Sequence, residues 1–216
     1  MDLNVGRYLG AVARAVESCE RDGRPARKVV ATCVYQTDAA DVWDALTNAD
    51  RIPRWFLPIS GDLKLGGRYQ LEGNAGGLIT ECEPMRRLAV TWEFGGGVTW
   101  LTVTLAPERA GGTRLTLEHE AVVEQHWEQY GPGAVGIGWD MTLSGLGKHL
   151  ASGEPNNAAE FMAWMGTPQG KQFIKVSSDA WCEAAIAGGE GTDAARAAAE
   201  RTRAAYTGEP VADSEA

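Results

Sequence analysis

The sequence predicts an α+β protein in which a curved antiparallel sheet of six to seven strands wraps a long C-terminal helix. Three observations predict it. Short strand signals recur from Leu63 to Ala121, punctuated by Gly66-Gly67, Gly76-Gly77, Gly95-Gly96-Gly97 and Gly111-Gly112. From about Ala134 to Leu150, the residues Val135, Trp139, Leu143, Leu146 and Leu150 fall on one helical stripe. That stripe needs a large apolar partner, and the sheet is the one the sequence offers.

The elements follow in order. Asp22-Gly23 between extended, partly alternating segments is a hairpin signal, so the stretch from Ala11 to Gln36 reads as two paired strands. The alanines before the turn would also suit a helix, but β-branched Lys28–Tyr35 favours the hairpin. Asp38 is placed to cap a helix carrying Val42, Trp43, Ala45 and Leu46, which stops near Asn48. Pro53 suits the first turn of a second short helix.

The meander begins at Leu63-Lys64-Leu65 and continues through Arg68–Glu72 and Leu78–Glu83. Leu88, Val90, Trp92 and Phe94 then alternate onto one face, as do Leu101, Val103 and Leu105, and Leu115, Leu117 and His119. Four glycines inside the long helix (Gly136, Gly138, Gly145, Gly147) each cost about 1 kcal/mol against alanine, so close backbone approach is expected there. Beyond Gly153, helices open at Asn157, at Thr167-Pro168 and at Thr192-Asp193. The organisation expected is therefore a sheet-and-helix domain over 1–153, a helical extension over 154–206 packed on it, and a disordered tail over 207–216.

Composition removes several classes. The chain has 216 residues with 20 Lys and Arg against 29 Asp and Glu, a net charge of −9. Its basic residues are scattered, so no nucleic-acid surface is expected. No stretch reaches the ~20 apolar residues of a membrane span, and Arg7 and Arg14 interrupt any leader-like run. Cys19, Cys33, Cys82 and Cys182 form no C-x-x-C pair, which disfavours structural zinc. No phosphate loop, nucleophile elbow or H-E-x-x-H pair occurs. A cytoplasmic protein without metal or cofactor is the expectation.

Strand, two helices, meander and long helix together describe a helix-grip fold. Asp41–Thr47, Trp55-Phe56, Gly66-Gly67-Arg68-Tyr69, Leu88–Trp92 and Gly112–His119, in this order and spacing, resemble the SRPBCC (START-like) superfamily. Within it, they are similar to the homologues of the activator of heat-shock-protein-90 ATPase. The resemblance covers about Val29 to Ser152 and implies a cavity between sheet and long helix, but no single activity. Its members include lipid carriers, cyclases, oxygenase subunits and co-chaperone domains. The co-chaperone's Asn-Asn-Trp-His-Trp motif has no counterpart, since Asn156-Asn157 runs into Ala158.

The candidate ligand-binding residues are Trp55, Phe56, Tyr69, Glu81, Trp92, Phe94, His119 and Trp139, because binding sites are lined by aromatic groups with a few polar ones. His119 shares the inward face of Leu115 and Leu117. It is either a buried neutral imidazole or, given a carboxylate such as Glu81, an acid–base group. Glu81 can be read inward or outward, Asp140 as solvent-facing or capping the cavity mouth, and His126 and His149 as surface residues. The expected function is binding of a small hydrophobic or amphipathic molecule. The alternatives are a co-chaperone-like partner of heat-shock protein 90 and a cofactor-free cyclase or hydrolase. A homodimer is the other partner considered, formed if the extension buries its apolar residues against a second copy.

Overall fold

The computed structural model describes residues 9–210. The leader question at Met1–Tyr8 and the tail from 211 onward lie outside the described residues. Eight strands form one antiparallel sheet in the order β1-β2-β8-β7-β6-β5-β4-β3. They are β1 (Ala13–Arg21), β2 (Arg24–Tyr35), β3 (Ile59–Gly61), β4 (Arg68–Leu71), β5 (Gly76–Glu83), β6 (Arg87–Phe94), β7 (Gly97–Pro107) and β8 (Thr113–Val122). Among the described residues they are accompanied by the α-helices α1 (Ala39–Thr47), α2 (Gln125–Tyr130), α3 (Gly133–Ser152), α4 (Ala158–Met165), α5 (Pro168–Ala187) and α6 (Thr192–Thr207), with a short 3-10 turn over Ile52–Arg54. The fold is the helix-grip arrangement expected, with eight strands where the sequence implied six to seven.

The extra strand comes from the start of the meander. Ile59 pairs with Leu71 and Gly61 with Tyr69, so β3 lies ahead of Leu63. Lys64 N donates to Asp62 O and Gly67 N to Lys64 O, which commits Leu63–Leu65 to a turn. A β-carbon on Gly67 would collide with the Asp62 carbonyl, so the turn closes only around glycine. The first hairpin turns at Asp22-Gly23 with both residues at positive φ, the turn chemistry that the sequence offered.

The chain gathers into two compact units. One holds the described residues up to Val29, Val122–Met141 and the chain from Asn157 on. The other holds Val30–Ala121 and Thr142–Asn156.

In the first unit, α5 packs on β1 and α6 on α5. Phe173, Ile174 and Trp181 are fully buried, and Leu9, Trp164 and Phe173 form one apolar cluster. Thr167 accepts from Gly170 N and caps α5 behind Pro168, as Asn157 caps α4 through Glu160 N. Two glycines of α3 have close neighbours in this unit: Gly136 lies bare against the Trp181 indole and Gly133 against Thr202.

Asp140, expected either to face solvent or to cap the cavity mouth, is instead wholly buried. Arg14 Nη2 stands 3.1 Å from its Oδ1, Trp181 Nε1 donates to Oδ2 over 3.0 Å, and Ser177 Oγ also donates to Oδ2. Arg14 spends Nη1 on the carbonyls of Leu9 and Val12. Burial pushes the Asp140 carboxyl above its ordinary range, while Arg14, Ser177 and Trp181 pull the other way.

In the second unit, α1 packs on β7. Its N-cap Asp38 accepts from Asp41 N at 2.9 Å, and Tyr35 OH donates to Leu143 O in α3. His149 is buried rather than on the surface. Its Nδ1 lies 2.9 Å from the Glu154 carbonyl, which can only accept, so Nδ1 carries the proton. Nε2 is then the acceptor for Arg51 Nε at 3.2 Å. Arg51 also reaches Asp41 and Asp44, tying α1 to the end of α3.

Candidate functional site

The second unit carries a continuous apolar face on β4 to β8. Strand pairing sets it: Ile79 lies opposite Val90, Val90 opposite Leu101, Leu101 opposite His119, Trp92 opposite Thr99 and Val103 opposite Leu117. Paired residues point to the same side of a sheet, so all of these share one face. Tyr69, Leu71, Ile79 and Val90 are its buried centre. Phe56, Leu57, Ile59, Leu63, Cys82, Leu88, Trp92 and Leu101 pack around them and remain partly buried.

His119 is a polar residue on this face. It is 2% exposed, its Nε2 lies 2.7 Å from Thr99 Oγ1, and its ring meets Trp92 edge-on at 6.1 Å between centroids. Burial pushes its pKa down to about 4, so the imidazole is neutral at physiological pH. Thr99 Oγ1 also donates to Trp92 O at 3.3 Å.

The predicted residues divide. Phe56, Tyr69 and Trp92 meet in the apolar cluster, with His119 against Trp92. Trp55 stacks on Phe56 at 5.5 Å but gives its indole N–H to Ala45 O, which makes it an anchor for α1. Tyr69 gives its hydroxyl to Thr91 O, and burial raises its pKa. Phe94 stands 61% exposed at the end of β6 and does not join the cluster. Trp139 is buried but belongs to the first unit.

Glu81 points away from the face. A β-bulge between Ile79 and Glu81 sets Glu81 opposite Ala89, and its Oε2 accepts from Arg87 Nε at 2.5 Å. It is therefore no partner for His119. Thr99 was missed by the sequence reading, although it shares the parity of Leu101 and Val103. His126, as expected, is exposed.

An open cleft of about 540 Å³ lies elsewhere in this unit, between the start of α1 and the β7–β8 hairpin. Gln36, Asp38, Met85, Leu105, Pro107 and Gly112 are among its lining residues, and it contains none of the predicted ones. Among the described residues no group of three or more His, Cys, Asp or Glu could hold a metal ion. No described helix is long and apolar enough to cross a membrane.

Residues 36–151 match the family model of the activator of Hsp90 ATPase homolog 1-like proteins. The chain belongs to this family, within the SRPBCC superfamily. Among family-fold structures, it is similar to CalU16 from Micromonospora echinospora. The solution structure of CalU16 is 32% identical, with a TM-score of 0.70, covering 82% of this chain and 97% of that one. Its crystal structure is 30% identical, with a TM-score of 0.65 over 82% and 99%. DynU16, a protein in the dynemicin biosynthetic locus, shares the fold at 22% identity and a TM-score of 0.52, over 59% and 48%. The Aha1 dimer from Colwellia psychrerythraea shares it at 16% identity and a TM-score of 0.51, over 58% and 97%. No curated protein sequence matches the chain.

Proposed function

We propose that this family member binds a small hydrophobic or amphipathic molecule on the apolar face of β4 to β8. One observation carries the reading. Eight apolar residues around a buried centre are only partly covered, and the neutral polar pair Thr99 and His119 lies on the same face. Surface of this kind gains roughly 25 cal/mol per Å² when a ligand removes it from water. An imidazole titrating near 4 is a weak base at neutral pH, which favours binding over acid–base turnover.

The test is titration with N-phenyl-1-naphthylamine, following the probe's emission and the quenching of tryptophan. Saturable binding that weakens in Trp92→Ala supports the reading; its absence for every apolar probe overturns it. The family match and the exposed Phe94 and Val98 at the β6–β7 turn favour a second reading, a protein partner. A several-fold rise in the ATPase rate of heat-shock protein 90 on adding the protein would replace the first reading with this one.

A further inference from the structure

We propose that the ligand is uncharged, laying an apolar body along Trp92 and Leu101 and meeting Thr99 Oγ1 with one neutral hydroxyl or carbonyl. This rests on the binding reading above and gives that site its ligand chemistry.

Charge is excluded first. The positions that strand pairing assigns to this face are Ile79 and Cys82 on β5, Leu88, Val90 and Trp92 on β6, Thr99 to Leu105 alternately on β7, and Leu115, Leu117 and His119 on β8. None of these side chains carries a formal charge at neutral pH, given a neutral His119. The carboxylates of the same strands sit on the other parity: Glu81 opposite Ala89, Glu93 opposite Val98, and Glu118 opposite Thr102. An ion brought to the face would lose water without gaining a counter-charge from these strands, which is among the most costly of desolvations.

The polar contact follows from Thr99. A hydroxyl has one proton and two acceptor sites. If Oγ1 donates to Trp92 O, it accepts from His119 Nε2, and one acceptor site remains for a ligand hydroxyl. The bond to Trp92 O is long, at 3.3 Å, so the proton can instead turn to a ligand carbonyl. Thr99 is half-buried where His119 is fully buried, so the threonine is the group a ligand reaches and the histidine orients it.

Matched probes test this on the full chain. N-phenyl-1-naphthylamine is compared with its sulfonate, 1-anilinonaphthalene-8-sulfonate, and the expected affinity of the sulfonate is at least about tenfold lower. Naphthalene and 2-naphthol then compete for the bound probe. The expected advantage of 2-naphthol is about two- to tenfold, the range of one neutral hydrogen bond. Thr99→Val should remove that advantage with naphthalene competition unchanged, which also reports that the variant folds, and Thr99→Ser should keep it. Equal binding of the sulfonate, no naphthol advantage in the wild type, or an advantage that survives Thr99→Val overturns the proposal. In those outcomes N-phenyl-1-naphthylamine still binds and the broader reading stands; if no apolar probe binds at all, both fall.

Discussion

Trp181 lies close against the bare backbone of Gly136: a β-carbon there would stand 2.6 Å from the indole Nε1. Helix α3 therefore carries a glycine at a cost in propensity because α5 approaches through the space a side chain would fill. Gly136→Ala is expected to lower the free energy of unfolding by about 1–3 kcal/mol through overpacking, despite the better helix former. At Gly138 the same β-carbon would meet only the Tyr206 hydroxyl, at 3.4 Å. Gly138→Ala should be neutral or stabilising by up to about 1 kcal/mol. Urea midpoints for the two variants check the contrast, and equal effects would contradict it.

Arg14 and Asp140 form the buried ion pair of the first unit. Asp140→Asn leaves a guanidinium with no counter-charge and should cost about 3–5 kcal/mol. The double variant Arg14→Met, Asp140→Asn removes both charges yet keeps an acceptor oxygen for Ser177 and Trp181. It should be more stable than Asp140→Asn alone, and a double-mutant cycle measures the difference.

His119 makes stability depend on pH. Its folded pKa is about 4 against 6.5 for a free imidazole, so between these values the unfolded chain takes a proton that the folded one refuses. Stability is full above pH 6.5 and falls by about 2 kcal/mol between pH 6.5 and 5. Asp140, with its raised folded pKa, contributes in the opposite sense as pH falls toward its range. Comparison of wild type with His119→Leu isolates the imidazole: the variant's unfolding free energy should be flatter over this window, and an unchanged slope would sink the assignment.

Helices α4 to α6 belong to the core of their unit. Phe173, Ile174 and Trp181 are fully buried, each worth roughly 1.5–3 kcal/mol of burial. A chain ending at Ser152 would bare their partners on β1 and strand Asp140 without Ser177 and Trp181. It should aggregate or lose its cooperative melt, as light scattering and calorimetry would report. A soluble variant of equal melting temperature would show that the extension is independent.

What the sequence made legible was local. Asp22-Gly23, the caps at Asp38, Asn157 and Thr167, and the parity of β6, β7 and β8 depend on neighbours within a few residues. That parity turned His119 inward correctly. Asp140 was unreadable because Arg14, its counter-charge, lies 126 residues away in the chain. His149 was misjudged because a position near a helix end suggests solvent, whereas Arg51 and the Glu154 carbonyl enclose it. Phe94 has the right parity for the face but sits where its strand runs out.

Thr80 is a spare residue. Ile79 faces Val90 and Glu81 faces Ala89, so the partner strand has no position for the threonine between them. Loss or gain of one residue inside a strand ordinarily reverses every side chain beyond it. Here a chain lacking Thr80 would keep Glu81 opposite Ala89 and Cys82 opposite Leu88, giving up only the local bend. The β5 strand thus holds a point at which gene lengths can differ by one codon without turning a carboxylate into the apolar face.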